Sequence, residues 1–265
     1  MSTYLDVVRY RELLGNLFRR DLQAKYRGSA LGVLWTVANP VMLMGVYYLV
    51  FGVVWSSPFA SGDHYALFLL TGLAPWTFFA AAVQSATRSM LDNANLIRKT
   101  RFPRQLVPLS VVFAHLVSFA VMLAVLLVVN FIALPRARAT EWLAIPLAVL
   151  FVGVVCGISL ATASLNVLFR DIEFIVAALL IPLFFLTPIL YPLSGSQVAS
   201  HHTVVQFIHW ANPLSPGIEA IRAPLFAGTL PHWTDALYLV VACAVALLVG
   251  ALVFRRVDDQ IAIEV

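Results

Sequence analysis

The chain has 265 residues, of which 61% are apolar and only 11% are charged, with a mean hydropathy of +0.90. Soluble domains carry about 25% charged residues, so a soluble globular protein is excluded and an integral membrane protein is expected. The net charge of +4 points to a membrane surface and no nucleic acid, because the basic residues sit in short segments between apolar runs.

Residues 4–23 read as an amphipathic helix. Tyr10, Leu13, Leu14, Leu17 and Phe18 share one face, and Arg9, Glu12, Asn16, Arg19, Arg20 and Gln23 share the other; Asp21 interrupts the apolar side. Such a helix either lies in the headgroup layer or packs against a partner. No cleavable signal peptide is expected in this polar stretch, so the first span directs insertion.

Leu34–Trp55 contains no charged side chain. At about 1.5 Å per residue it rises roughly 33 Å, enough to cross a hydrocarbon core of about 30 Å. Five further spans are expected over Tyr65–Ser85, Leu106–Leu134, Trp142–Leu168, Phe174–Leu193 and Ala236–Phe254, six in all. Of the 17 Lys and Arg, fourteen fall in the N-terminal segment, the Arg88–Arg104 loop, Arg170 and Arg255–Arg256. The other three are Arg136, Arg138 and Arg222. The positive-inside rule therefore places both termini in the cytoplasm.

The Arg88–Arg104 loop is the most polar interior segment. Leu91, Ala94, Leu96 and Ile97 among its basic residues suit a short cytoplasmic helix that docks into a partner's groove; a charge run that only fixes topology is the plainer reading. Gly153, Gly157 and Ala161, and again Ala242, Ala246 and Gly250, recur at spacing four and mark faces of close helix approach, within this chain or to a second copy. Cys156 and Cys243 lie in apolar runs and read as packing residues. Pro182, Pro188 and Pro192 should kink or break span five near its outer end. The Ser194–Trp233 segment is half apolar, but its separate apolar runs are too short to cross, and it reads as two re-entrant or interfacial outer helices. The fold class is all-α, a single polytopic domain over 1–265. It divides into an interfacial segment 1–33, spans one to five over 34–193, the outer segment 194–233, and span six with its tail over 234–265.

The expected spans hold no Asp, Glu, Lys or Arg, and one histidine, His115. Ion-coupled transport needs ionisable groups inside the membrane, which disfavours it here. A phosphate loop needs a lysine after glycine; Lys25 and Lys99 do not follow one. The motifs of zinc and serine hydrolases are absent from the sequence. His201, His202, His209 and His232 are weighed as metal ligands against interfacial histidines, and the interfacial reading is preferred. Tyr47, Tyr48, Phe51 and Trp55 in span one, Trp76, Phe78 and Phe79 in span two, and Phe184, Phe185 and Tyr191 in span five form an aromatic set. It reads either as an interfacial belt or as the stacking surface of a sugar path, and composition alone favours the belt.

Several stretches carry a family likeness. They are Lys25-Tyr26-Arg27-Gly28-Ser29 with Leu34-Trp35 and Pro40, then Asn95-Leu96-Ile97-Arg98-Lys99 with Phe102-Pro103-Arg104 and Pro108, and Phe169-Arg170-Asp171-Ile172 with Thr187-Pro188-Ile189-Leu190-Tyr191-Pro192. Asn212-Pro213-Leu214-Ser215 with Arg222 is a fourth. Together they resemble the membrane subunits of ABC-2 type polysaccharide exporters, which serve O-antigen, capsule and teichoic acid export. The resemblance implies a homodimer in the bacterial inner membrane, joined to two cytoplasmic ABC ATPase subunits that hold ATP and Mg, with no cofactor or metal on this chain. It implies that Asn95, Arg98, Lys99 and Arg101, with Arg170, Asp171 and Glu173, couple to the ATPase. It further implies a polysaccharide on polyprenyl pyrophosphate as cargo. Tyr47, Tyr48, Phe51, Trp55, Trp76, Phe78, Phe184 and Tyr191 would then be path residues, and Lys25 and Arg27 would meet the headgroup. The rival readings are a drug or small-lipid permease of the same group, a membrane-embedded enzyme of lipid-linked sugar assembly, and a scaffold.

Overall fold

A computed structural model describes residues 10–29, 32–55, 64–99, 102–192, 206 and 209–264, and these residues are built from helices and the turns between them. Helix α1 is Arg11–Tyr26. A short turn at Gly32–Leu34 leads into α2, Trp35–Tyr47, which widens over Tyr48–Val54 into a π-turn where the Trp55 N–H donates to the Val50 carbonyl. Then come α3 (Tyr65–Asp92), α4 (Ala94–Lys99), α5 (Leu106–Ala133), α6 (Ala144–Leu168), α7 (Ile172–Leu186), α8 (Ser215–Arg222) and α9 (Trp233–Glu264). In lipid every backbone polar group must be satisfied within the chain, and apolar helices achieve this segment by segment.

Among the described residues, five helical stretches are long and apolar enough to cross a membrane: Trp35–Val54, Tyr65–Asp92, Leu106–Ala133, Glu141–Leu168 and Trp233–Asp258. Span five of the expected six is shorter than its hydropathy suggests, since α7 has 15 residues and stops at Leu186, a rise of about 22 Å. The cause is Pro188. It disfavours helical backbone at the residue before it, and Thr187 is extended at φ −88°, ψ 136°. Leu193, the expected end, lies outside the described residues, as do residues 4–9 of the N-terminal helix and His201 and His202 of the outer segment.

α3 is the hub, with 72% of its apolar window buried against 6% for α2; it packs on α2, α5, α6, α7 and α8. α6 and α9 approach most closely. A Cβ on Gly157 would fall on the Ala246 backbone, and one on Gly250 on the Gly157 carbonyl; the Cys243 thiol fills the space over Gly153. The small-residue faces therefore meet each other within one chain, and both cysteines are free thiols.

α1 packs on α5. Its Leu17 is buried, and Asp21, the acidic residue on the apolar side, accepts a 2.6 Å hydrogen bond from Ser110 Oγ. At the opposite end of the bundle the three isolated arginines all cap carbonyls. Arg138 donates to Phe131 O at the end of α5, Arg136 to Phe226 O, and Arg222 to Pro188 O beyond the end of α7. Thr140 and Asn130 take the neighbouring Pro224 and Leu225 carbonyls, so three successive acceptors of the π-turn Ala223–Ala227 are satisfied by side chains. α8 is buried on nearly every side, and the part of the Ser194–Trp233 segment where the other outer helix is expected, ahead of Asn212, lies largely outside the described residues.

Candidate functional site

α3 turns all but one face into the bundle over its inner half. Thr77, Ala80, Ala81, Gln84, Ser85 and Arg88, spaced three and four apart, form the stripe left open. Over it lies a groove in two adjoining parts, which share Asn39, Thr77 and Ala81. The larger, about 460 Å³, is walled by Leu43 and Tyr47 of α2, Trp76 and Gln84 of α3, and Leu180 and Phe184 of α7. The Phe184 ring stacks on Tyr47 at 5.5 Å and tilts against Trp76 at 5.4 Å, centroid to centroid. Flat aromatic faces beside two amides are the surface a pyranose ring takes, with apolar C–H faces on the rings and hydroxyls on the amides.

The smaller part, about 300 Å³, lies where α1, α2, α3 and α5 meet. Lys25 Nζ donates to Ser118 Oγ at 2.6 Å and reaches His115 Nδ1 at 3.2 Å. An ammonium only donates, so His115 Nδ1 accepts and the ring proton belongs on Nε2, 3.2 Å from Ser85 Oγ. The Tyr26 hydroxyl bridges Ser118 and Thr36, both at 2.9 Å. Burial pulls the Lys25 pKa below its ordinary 10.5.

Of the aromatic set, the groove brings together Tyr47, Trp76, Phe184 and Phe185 in its larger part and places Phe78 in the smaller. Tyr48 and Trp55 are exposed and outside both parts, Phe51 meets Trp55 edge-on at 5.4 Å, and Tyr191 donates to the Phe185 carbonyl. Lys25 lines the groove, whereas Arg27 is exposed beyond the end of α1. Asn39, Thr77, Gln84 and the His115–Ser118 pair were not singled out as site residues from the sequence, although small and polar residues at spacing three and four in an apolar helix were a readable signal.

Part of the basic loop folds as the short helix α4. Asn93 Nδ2 closes the end of α3 on the Ser89 carbonyl, and Ile97 is buried while Asn95, Arg98 and Lys99 of α4 are exposed. Arg101 lies outside the described residues. Arg104, after Pro103, ties the loop to α9 through the Asp258 carboxylate at 3.0 Å. The Arg170–Asp171 turn is exposed between α6 and α7, held by Asn166 Oδ1, which accepts the Glu173 N–H at 3.0 Å. His209 pairs with Asp235 at 3.0 Å, and among the described residues no group of three His, Cys, Asp or Glu could hold a metal ion.

The chain is 33% identical over 258 residues to the O-antigen export system permease protein RfbA of Myxococcus xanthus, covering 97% of this chain and 96% of that one. It is 32% identical over 256 residues to the protein of the same name in Klebsiella pneumoniae, covering 95% and 94%. Against the polysialic acid transport protein KpsM of Escherichia coli it is 24% identical over 253 residues, 92% of each chain. The family model described as ABC-2 type transporter matches residues 12–226. With that match across most of its length, and with apolar helices built around a grooved central one, the chain belongs to the ABC-2 type transporter family.

Proposed function

We propose that this chain is the transmembrane subunit of an ATP-driven exporter that moves a polyprenyl-pyrophosphate-linked polysaccharide out of the cytoplasm. The observation that carries the reading is the groove over α3, in which Tyr47, Trp76 and Phe184 stand beside Asn39 and Gln84. Stacking faces with amides are sugar chemistry, and the relatives named for O-antigen and polysialic acid transport agree with it. Two copies enclose the path, groove to groove, with both termini cytoplasmic. Two ATPase subunits, which carry the ATP and Mg, dock on α4 through Asn95, Arg98 and Lys99, with Arg101 beside them, and on the Arg170, Asp171 and Glu173 turn. ATP-driven closure of that pair pushes α4, and α3, continuous with it through Asn93, moves its open stripe against α2 and α7. Lys25 and Arg27 receive the headgroup. The test is co-purification with a cytoplasmic ATPase followed by its stimulation with a lipid-linked glycan. A chain that purifies alone, or whose partner ATPase ignores the glycan, overturns the reading.

A further inference from the structure

The larger part of the groove presents polar groups that the chain itself leaves unsatisfied. Asn39 and Gln84 are both exposed along it, and among the described residues neither amide has a hydrogen-bond partner. Both lie within helical stretches long and apolar enough to cross the membrane, with Gln84 roughly 12 Å along the axis from the end of α3 at Asp92. An amide facing hydrocarbon at that depth is costly, so the groove is built for a polar occupant. Thr77 narrows the chemistry of that occupant. Its hydroxyl proton is committed to the Ala74 carbonyl at 3.1 Å, which leaves the oxygen to accept. Each amide likewise carries a carbonyl acceptor beside its two N–H donors. The surface therefore takes hydrogen bonds as well as giving them.

Sugar hydroxyls donate and accept, and they match such a surface. An ionised carboxylate or phosphodiester only accepts, so it would oppose the Thr77 oxygen and leave both amide carbonyls unanswered. Charge points the same way. Among the described residues lining the larger part none is charged. Lys25 lies in the adjoining part, bonded to Ser118 and His115, and Arg88 at the foot of the open stripe pairs with Asp92 at 3.2 Å. An anionic repeat drawn between Tyr47, Trp76 and Phe184 would lose water without gaining a counter-charge. We infer that the polymer is uncharged over the stretch that occupies this groove, a chain of neutral pyranoses with free hydroxyls, and that Asn39 and Gln84 select it against uronate, sialate or phosphodiester polymers. The rings supply stacking faces to any sugar, and the two amides read what the sugar carries at its edge. The inference rests on the export reading for the presence of a glycan and narrows the class of that glycan.

The test is isothermal titration of the full-length protein in nanodiscs with hexamers of mannose, galactose and glucose, and with hexamers of galacturonic acid and sialic acid at the same salt. Size exclusion checks the fold of each variant. At least one neutral hexamer should bind, and each acidic one about tenfold more weakly or less. Gln84→Leu and Asn39→Leu should each weaken the neutral hexamer about tenfold, as expected for lost hydrogen bonds to its hydroxyls. Gln84→Arg should strengthen the acidic hexamers about tenfold by pairing with their carboxylates. Acidic hexamers that bind the wild type as tightly as neutral ones overturn the inference. So does the absence of binding by every neutral hexamer, or a Gln84→Arg variant that leaves the acidic hexamers unchanged. Stimulation of the partner ATPase separates the two claims. An ATPase stimulated by an acidic lipid-linked glycan removes the neutral class and leaves the export reading standing, whereas neutral binding with no glycan stimulating the ATPase does the reverse.

Discussion

Arg222 donates a 2.6 Å hydrogen bond to the Pro188 carbonyl, joining α8 to the broken end of α7. Its guanidinium also lies 4.0 Å from the Phe68 ring centroid, pairs with Glu219 and presses on Gly72. Removing it strips a buried carbonyl of its donor. Arg222→Leu should destabilise the fold by about 2–5 kcal/mol, read as a lower unfolding midpoint in detergent. A midpoint unchanged from wild type would show that the contact does not hold α7.

Gly157 and Gly250 permit the α6–α9 contact at backbone distance. Gly157→Ala should force the helices apart and cost about 1–3 kcal/mol. Gly45 in α2 has nothing within 4 Å of a built Cβ, so Gly45→Ala should be neutral or stabilise by about 0.5–1 kcal/mol through helix propensity. Equal thermal stability of the two variants would contradict this packing.

Arg98 and Lys99 lie on the exposed side of α4, opposite buried Ile97. Reversing both to Glu should alter stability by no more than about 0.5 kcal/mol, yet separate ATP hydrolysis from export when the ATPase is present. The paired readouts are membrane insertion and polymer at the cell surface; wild-type export would remove α4 from the coupling path.

Place in the groove predicts effect. Tyr47→Ala, from the aromatic set, and Gln84→Leu beside it alter the larger part of the groove, whereas Trp55 is 71% exposed and outside it. Polymer output should fall about tenfold in the first two, equivalent to about 1.4 kcal/mol, and stay near wild type in Trp55→Ala. The opposite order would return the path to the outer end of α2.

Hydropathy made the apolar helices legible, because a chain in lipid must bury its backbone groups in helices. It could not see that α7 ends early, since Ile189, Leu190 and Leu193 continue the apolar run after the helix has broken at Thr187. Charge counting left Arg136, Arg138 and Arg222 as exceptions to a topology rule; each is explained only once the carbonyls it caps are placed nearby. Asp21 was similarly out of pattern until Ser110 of α5 came to face it. Aromatic composition marked a set of rings without dividing it, because the division depends on which helix each ring meets. The open stripe of α3 was written at spacing three and four, but its meaning needed α2 and α7 on either side.

The π-turn at Tyr48–Val54 has a consequence for how this family segment varies. One extra residue is accommodated per turn there, so side chains beyond Tyr47 drift out of the ordinary helical phase. Deleting a single residue such as Leu49 would let the segment return to ordinary helical pitch while Trp55 keeps nearly the same direction, because the wide turn already absorbs that residue. The tip of α2 can thus lose one residue in length without turning away from its neighbours.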